Sequence, residues 1–426
     1  MQRVLGLPTL LALGINGVVG VGIFFAVPEV AQAVPGYWGL LVYAGVVLAC
    51  LPIALVFGKL GARLNQDGGP YVFARAAFGE KAAFGIGWIS YVSAVFSTAT
   101  VVVGLVEATS PQLGFETRTE QALLAAFLVT ALSYVLSRGL RISAWAWTSI
   151  TVAKLLPLAL LLLAAMFFGG APAAEPAAPV SKEVTLLGVL GGGMAVLFSL
   201  QGFEVVPLPA GQVKNAERTV PIATVFALVF AGLLYMALHF ACLRALPDPG
   251  AHAMPIADAA GIYGGPALGK LVAIGMSISS FGITVGMLAM TPRYLAALSN
   301  ELGASLAASQ NGAPRRAFAI SWVLVLVVVT ASFLYGSIAN LFALSSVSVL
   351  LQYVVTAASL WVLARRREQG FVPRDAWPVP LVFVASLYLV AGAEAIELLL
   401  VAVVVAAGFG LRAMLRGRAV REVASP

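Results

Sequence analysis

Apolar runs of about 20 residues recur along the whole of this chain, each long enough to cross the roughly 30 Å hydrocarbon layer of a bilayer. That repetition constrains the fold more than any motif does. The chain is 61% hydrophobic and 10% charged, where a soluble domain has roughly 45–50% and 25%. A soluble protein of 426 residues has no core large enough to hide so much apolar surface. The pattern predicts an all-α, polytopic membrane protein. Spans are expected at 5–32, 38–62, 83–108, 120–137, 142–169, 186–210, 220–246, 268–296, 316–334, 338–364, 377–393 and 395–415, with boundaries good to about four residues. The run from Val4 carries glycines and continues past any cleavage point, so no cleavable signal is expected.

Basic residues give this twelve-helix reading an orientation. With both termini and the even-to-odd loops placed in the cytoplasm, 20 of the 25 lysines and arginines fall inside. Arg118, Lys182, Arg244 and Lys270 fall outside, and Lys154 lies within the membrane. Such a bias follows the positive-inside rule. The net charge of +7 therefore reports topology and no nucleic-acid partner. The Ala/Pro/Glu stretch "APAAEPAAPVSKE" at 171–183 reads as an external linker. One transmembrane domain is expected over 1–418, followed by a short cytoplasmic tail at 419–426.

The chain offers little for catalysis. The glycine cluster at 17–22 has the wrong spacing for a dinucleotide loop and follows no strand. No P-loop, zinc-protease motif or Ser/His/Asp grouping is present. Cys50 and Cys242 lie inside apolar runs, which argues against a disulfide framework or a thiolate metal site. His239 and His252 fall in the seventh span and the loop after it and read as structural. No enzyme, cofactor or metal site is expected.

Two spans are interrupted. The first, in "NGVVGVGIFF" (16–25), gathers Gly17, Gly20 and Gly22 at mid-membrane depth. The sixth, in "AVLFSLQGFEVVPLP" (195–209), places Ser199, Gln201, Gly202 and Glu204 ahead of Pro207 and Pro209. Non-helical backbone at that depth survives only where it lines a cavity or is buried in protein. Breaks at matching positions of two halves point to a transporter site built from inverted repeats. A broken helix frees N–H groups at the positive end of its second half, which attracts a carboxylate, and glycines allow close approach. Carbonyls freed at the other break would receive an ammonium group. Together they would hold an α-amino acid by both ends.

These segments resemble those of the amino acid–polyamine–organocation (APC) superfamily of transporters. "NGVVGVGIFF" is similar to that family's Gly-Ser-Gly-Ile-Phe turn, and "GGPYVFARAAFG" (68–79) to the Gly-Gly-Pro-Tyr segment that enters its third helix. "FSLQGFEVVPLPAGQVKNAERTVPIA" (198–223) resembles its sixth helix and following loop. The resemblance implies a leucine-transporter-like fold: inverted repeats of five helices over about 5–169 and 186–364, with broken helices 1 and 6, and two extra helices over about 377–415. It also implies substrate contacts at Val19, Gly20, Val21, Gly22 and Ile23 in the first break, with Gly20–Gly22 facing the carboxylate. In the sixth helix it implies contacts at Phe198, Ser199, Gly202 and Phe203, Phe198 being the aromatic lid, and in the eighth at Ser280. Val21 stands where the family has Ser or Ala, and Gly211-Gln212 where it has an acidic pair. Any gating salt bridge from the latter position is in question. Glu204 reads either as a cap on frayed backbone or as a proton-sensitive element beside the pocket.

Lys154 sits among Leu, Val and Pro with no acidic residue within twenty positions. It lies about 20 Å beyond the cytoplasmic Arg141, too deep to snorkel to that face. A charge at bilayer depth costs about 2.5–3.5 kcal/mol on insertion scales and usually marks a function. The resemblance implies that its ammonium group replaces the sodium ion of sodium-driven relatives, near carbonyls at Gly17–Val19 and hydroxyls such as Ser279. The expected function is proton-coupled transport of small neutral amino acids across the cell membrane by alternating access. The partners are then the amino acid, protons and membrane lipid. An ion-independent exchanger, a channel-like subunit and a membrane-embedded sensor without flux remain open.

Overall fold

The computed structural model describes residues 5–20, 22–138, 144–168, 183–302, 306, 314–335 and 338–424. Its helices are α1 (Leu7–Val18), α2 (Gly22–Ala33), α3 (Trp38–Leu64), α4 (Pro70–Phe78), α5 (Glu80–Thr109), α6 (Arg118–Ser137), α7 (Ala144–Phe168) and α8 (Leu186–Leu200). The second half of the chain adds α9 (Ala216–Ala245), α10 (Pro255–Ala297), α11 (Ser299–Leu302), α12 (Arg315–Tyr335), α13 (Ile338–Arg366), α14 (Val379–Val390) and α15 (Ala395–Ala424). Among the described residues the only extended pairing is an isolated parallel bridge, Leu5 to Val213.

Ten of these helices are long and apolar enough to cross a membrane, and α1 with α2, bent by 45°, makes an eleventh. The chain is a multi-pass membrane protein. The expected span at 377–393 differs: only the 12 residues Val379–Val390 are helical. At 1.5 Å per residue they reach about 18 Å, short of the hydrocarbon thickness. Pro378 caps the helix at its start, and beyond its end a side chain at Gly392 would press within 3.0 Å of the Leu190 carbonyl carbon. The expected eighth span starts thirteen residues early, because α10 runs continuously from Pro255 through a kink at Gly265 (φ 78°). The Gly-Gly-Pro-Tyr segment forms its own helix, α4, cut from α5 by Gly79 at φ 81°.

The chain forms two compact units. The first comprises Met1–Asp67, Ile142–Ile283 and Trp377–Gly392. In it α3 packs along α9, and glycines set how closely: an added Cβ at Gly58 would lie 2.8 Å from Pro221 Cα, and one at Gly61 3.1 Å from Val220 Cγ1. Without a hydrophobic effect between helices in lipid, such close approach is what holds them.

The second unit comprises Gly68–Arg141, Thr284–Ala376 and Ala393–Pro426. Its core gathers Phe84, Tyr91, Val95 and Val102 of α5 with Val129 of α6, Phe318 and Val325 of α12 and Leu341 of α13. Buried hydroxyls pair across it, Ser90 donating to Gln352 at 2.7 Å and Thr98 meeting Thr291 at 2.8 Å. One buried ion pair joins Arg412 of α15 to Glu301 of α11 at 2.7 Å, with the guanidinium 5.0 Å above the Phe84 ring.

Candidate functional site

Helix α1 stops at Val18, so the carbonyls of its last turn lose the N–H groups that a continuing helix would have supplied. Side chains from two other helices take their place. The Lys154 ammonium group, buried on α7, donates to the Asn16 carbonyl at 3.3 Å and to the Val19 carbonyl. The Tyr235 hydroxyl of α9 donates to the Val18 carbonyl at 2.9 Å. The Asn16 side-chain amide donates to the hydroxyl of Thr151, one turn before Lys154 on α7. The break in α1 is thus bound to α7 by a side-chain pair and an ammonium group together. Ser279 was expected among the partners of Lys154. It is buried, and its hydroxyl bonds to none of the described residues; the ammonium group is directed to α1 instead.

The sixth span breaks where Gln201 turns to ψ 149° and Gly202 to φ 119°. The latter is open to glycine and strained for any side chain. Glu204 closes the break locally: its carboxylate accepts the Gly202 N–H at 2.8 Å. This geometry favours the backbone-capping reading of Glu204.

The two breaks touch backbone to backbone. A Cβ on Gly17 would lie 2.9 Å from the Gly202 carbonyl oxygen, and one on Gly22 would lie 2.6 Å from Ser199 Cα. Gly20 faces the end of the Ile283 side chain on α10. The expected contact residues Val19, Gly20, Gly22, Phe198, Ser199 and Gly202 therefore gather around one junction, with Ile23 buried beside them. Val21 lies outside the described residues. Phe198 and Ser199 sit in the last turn of α8, not on unwound backbone as expected of a lid. The Ser199 hydroxyl is spent on the Val196 carbonyl at 2.8 Å. Phe203 is fully buried and meets Phe57 of α3 edge-on at 6.4 Å. Ser280 is buried on α10.

Further along the chain, Gly211 and Gln212 have a partner that the sequence did not suggest. Asp67, at the end of α3, accepts the Gly211 N–H at 3.0 Å and the Gln212 side-chain amide at 2.7 Å. Leu5 brackets the same loop, donating to the Gln212 carbonyl at 3.0 Å and accepting from Lys214 at 2.8 Å. Neutral donors stand where a salt bridge was in question.

Sequence reading missed Asn16, Thr151 and Tyr235. Asn16 and Tyr235 are polar groups within long apolar runs, and Thr151 lies three residues before the one intramembrane lysine. Depth and helical spacing were the available signals.

A sequence profile of the amino acid permease family matches residues 5–410. Similar proteins include the serine/threonine exchanger SteT of Bacillus subtilis, 22% identical over 391 residues, covering 89% of this chain and 87% of that protein. An uncharacterized transporter of Mycobacterium tuberculosis is 28% identical over 374 residues, covering 85% and 81%. Human cationic amino acid transporter 4 is 25% identical over 389 residues, covering 85% of this chain and 60% of its own length.

Proposed function

Since the chain belongs to the amino acid permease family, we propose that it carries small neutral amino acids across the cell membrane by alternating access, driven by protons that Lys154 binds and releases. On this reading the fold is the twelve-helix, five-plus-five inverted repeat, with both termini cytoplasmic and one domain over 1–418. The observation that carries the proposal is the Lys154 ammonium group on the carbonyls of Asn16 and Val19, at the point where α1 stops. A protonated lysine holds that segment to α7. A neutral amine is a far weaker clamp, since hydrogen bonds from a charged donor are about twice as strong as neutral ones.

The substrate assignment rests on the junction. Gly20 and Gly22 precede and open α2, whose N-terminal amides favour a carboxylate. Carbonyls at the end of α8 suit the ammonium group. Around them lie Phe198 and Ile23, apolar neighbours for a small side chain. Glu204, the nearest acidic residue in the sixth span, has a carboxylate oxygen committed to Gly202.

Competition against radiolabelled substrate in proteoliposomes tests this. An amino acid should compete, while its amide and its decarboxylated amine should be weaker by about 10–100-fold, the value of a lost charged hydrogen bond of about 1.5–3 kcal/mol. Equal competition by the amine would remove the carboxylate seat from Gly20–Gly22. Serine, alanine and lysine in the same series would separate neutral from cationic specificity. The relative named as an exchanger supports a second reading, obligatory exchange. That reading requires uptake only into vesicles preloaded with amino acid, whereas proton symport fills empty ones under a pH gradient. Binding without flux in either format would leave a sensor.

A further inference from the structure

Two turns of α9 beyond the junction hold polar groups that the transport scheme does not use. His239 is fully buried, and neither ring nitrogen has a hydrogen-bond partner among the described residues. Tyr43 of α3 is fully buried too, its hydroxyl equally unpartnered, and its ring centroid lies 5.2 Å from that of His239. Gly39, one turn before Tyr43, leaves the space that Nε2 of His239 occupies. The two rings are thus buried side by side with their polar atoms unpartnered. Buried polar atoms in proteins almost always carry a partner, and a water molecule is the usual small one.

Tyr235, whose hydroxyl holds the Val18 carbonyl, is one turn before His239, about 6 Å along the axis. It is also within electrostatic range of Tyr43. In the other direction Cys242 is three residues on and buried, within electrostatic range of Tyr43 and of Asp258. Asp258 accepts from or shares a proton with Nδ1 of His252 at 2.8 Å, and both are partly exposed where α9 gives way to α10. Further titratable groups around this part of α9 are Tyr263, whose hydroxyl donates to the Ala241 carbonyl at 3.0 Å, Arg244 within electrostatic range of it, and Tyr37, whose ring meets Phe240 at 5.9 Å.

We propose that His239 and Tyr43 hold an internal water molecule and that this site carries protons between the exposed His252–Asp258 pair and Lys154. The inference rests on the proton-coupled reading above. A proton arriving at one imidazole nitrogen is matched by release of the proton from the other; the water passes it to the Tyr235 hydroxyl, which turns from the Val18 carbonyl and gives up its own proton toward Lys154 as it accepts the new one. The Lys154 amine takes it up to become ammonium, and the net change is one proton moved and no bond lost.

The test uses the full chain in proteoliposomes, with a pH dye inside and radiolabelled substrate outside. His239→Phe keeps a ring without its nitrogens, and Tyr43→Phe removes one oxygen from an otherwise unchanged side chain. Substrate exchange at equal pH on both sides, which needs no net proton movement, should stay within about twofold of the parent in each variant. Gradient-driven uptake and substrate-linked acidification should fall about tenfold, as for loss of one buried hydrogen bond in the path. Should His239→Phe fold poorly, Tyr43→Phe decides by itself. A parent driven by protons, with both variants unchanged, overturns this route and leaves the transport reading standing. A parent indifferent to the pH gradient overturns the transport reading and this route with it.

Discussion

Gly202→Ala is expected to abolish uptake and to lower the melting temperature of the purified protein sharply. Two independent conflicts act at this position. The backbone is at φ 119°, which costs an alanine about 1–3 kcal/mol. The new methyl group would also meet the carbonyl and carbon of Gly17 and the amide of Val18, all backbone atoms of α1 that cannot rotate away. Against a total stability of about 5–15 kcal/mol, and with the two breaks forced apart, the site should not survive. Gly22→Leu should fail for a related reason, because its Cβ would lie 2.6 Å from Ser199 Cα. The control is Gly191→Ala on α8, where nothing lies within 4 Å. It should be neutral or slightly stabilising, since alanine gains up to about 1 kcal/mol over glycine within a helix. A Gly202→Ala protein that melts and transports like the parent would show that the contact between the breaks is dispensable.

Lys154→Ala is the second large effect, and it falls on energetics rather than folding. The substitution removes the donor to Asn16 and Val19 but leaves Tyr235 on Val18. Substrate should still bind, with affinity changed by less than about tenfold, the value of one modest hydrogen bond. Accumulation under a proton gradient should collapse to the level set by equilibration. Uptake by the parent should rise as the outside is acidified, because the proton bound on that side is the driving partner; uptake by the variant should be flat with pH. Sodium should stimulate neither protein. Proton-driven accumulation that persists in Lys154→Ala, or a sodium requirement in the parent, would remove Lys154 from the coupling role.

Much of the fold was legible because glycine and proline report backbone conformation directly. Gly202 marked the break in the sixth span, and Gly17–Gly22 marked that in the first. Lys154 stood out because an uncompensated charge in an apolar run demands a partner. Its actual partners were not legible. Which carbonyl is left open depends on the residue at which α1 stops, and sequence cannot resolve one residue there. Asn16 and Tyr235 became informative only once Val18 proved to be the last helical residue. Phe203 and Phe198 show the same limit from the other side. Their composition suited a pocket, but a rotation of about 100° per residue decides what each ring meets, and Phe203 turned to Phe57. The short α14 failed to match expectation because apolar composition continues through Gly392 while helical backbone does not.

The buried pair of Arg412 and Glu301 carries a consequence for how sequences of this kind can change over time. Its two members lie more than a hundred residues apart, and each is almost fully enclosed. Removing one alone leaves a buried charge without its counter-ion, typically a loss of about 3–5 kcal/mol, whereas replacing both with apolar groups can be neutral or better. Positions 301 and 412 therefore make up a single heritable unit. Lineages should keep both charges, invert both or lose both, and an alignment in which the two vary independently would mean that the pair is not what fixes α15 to α11.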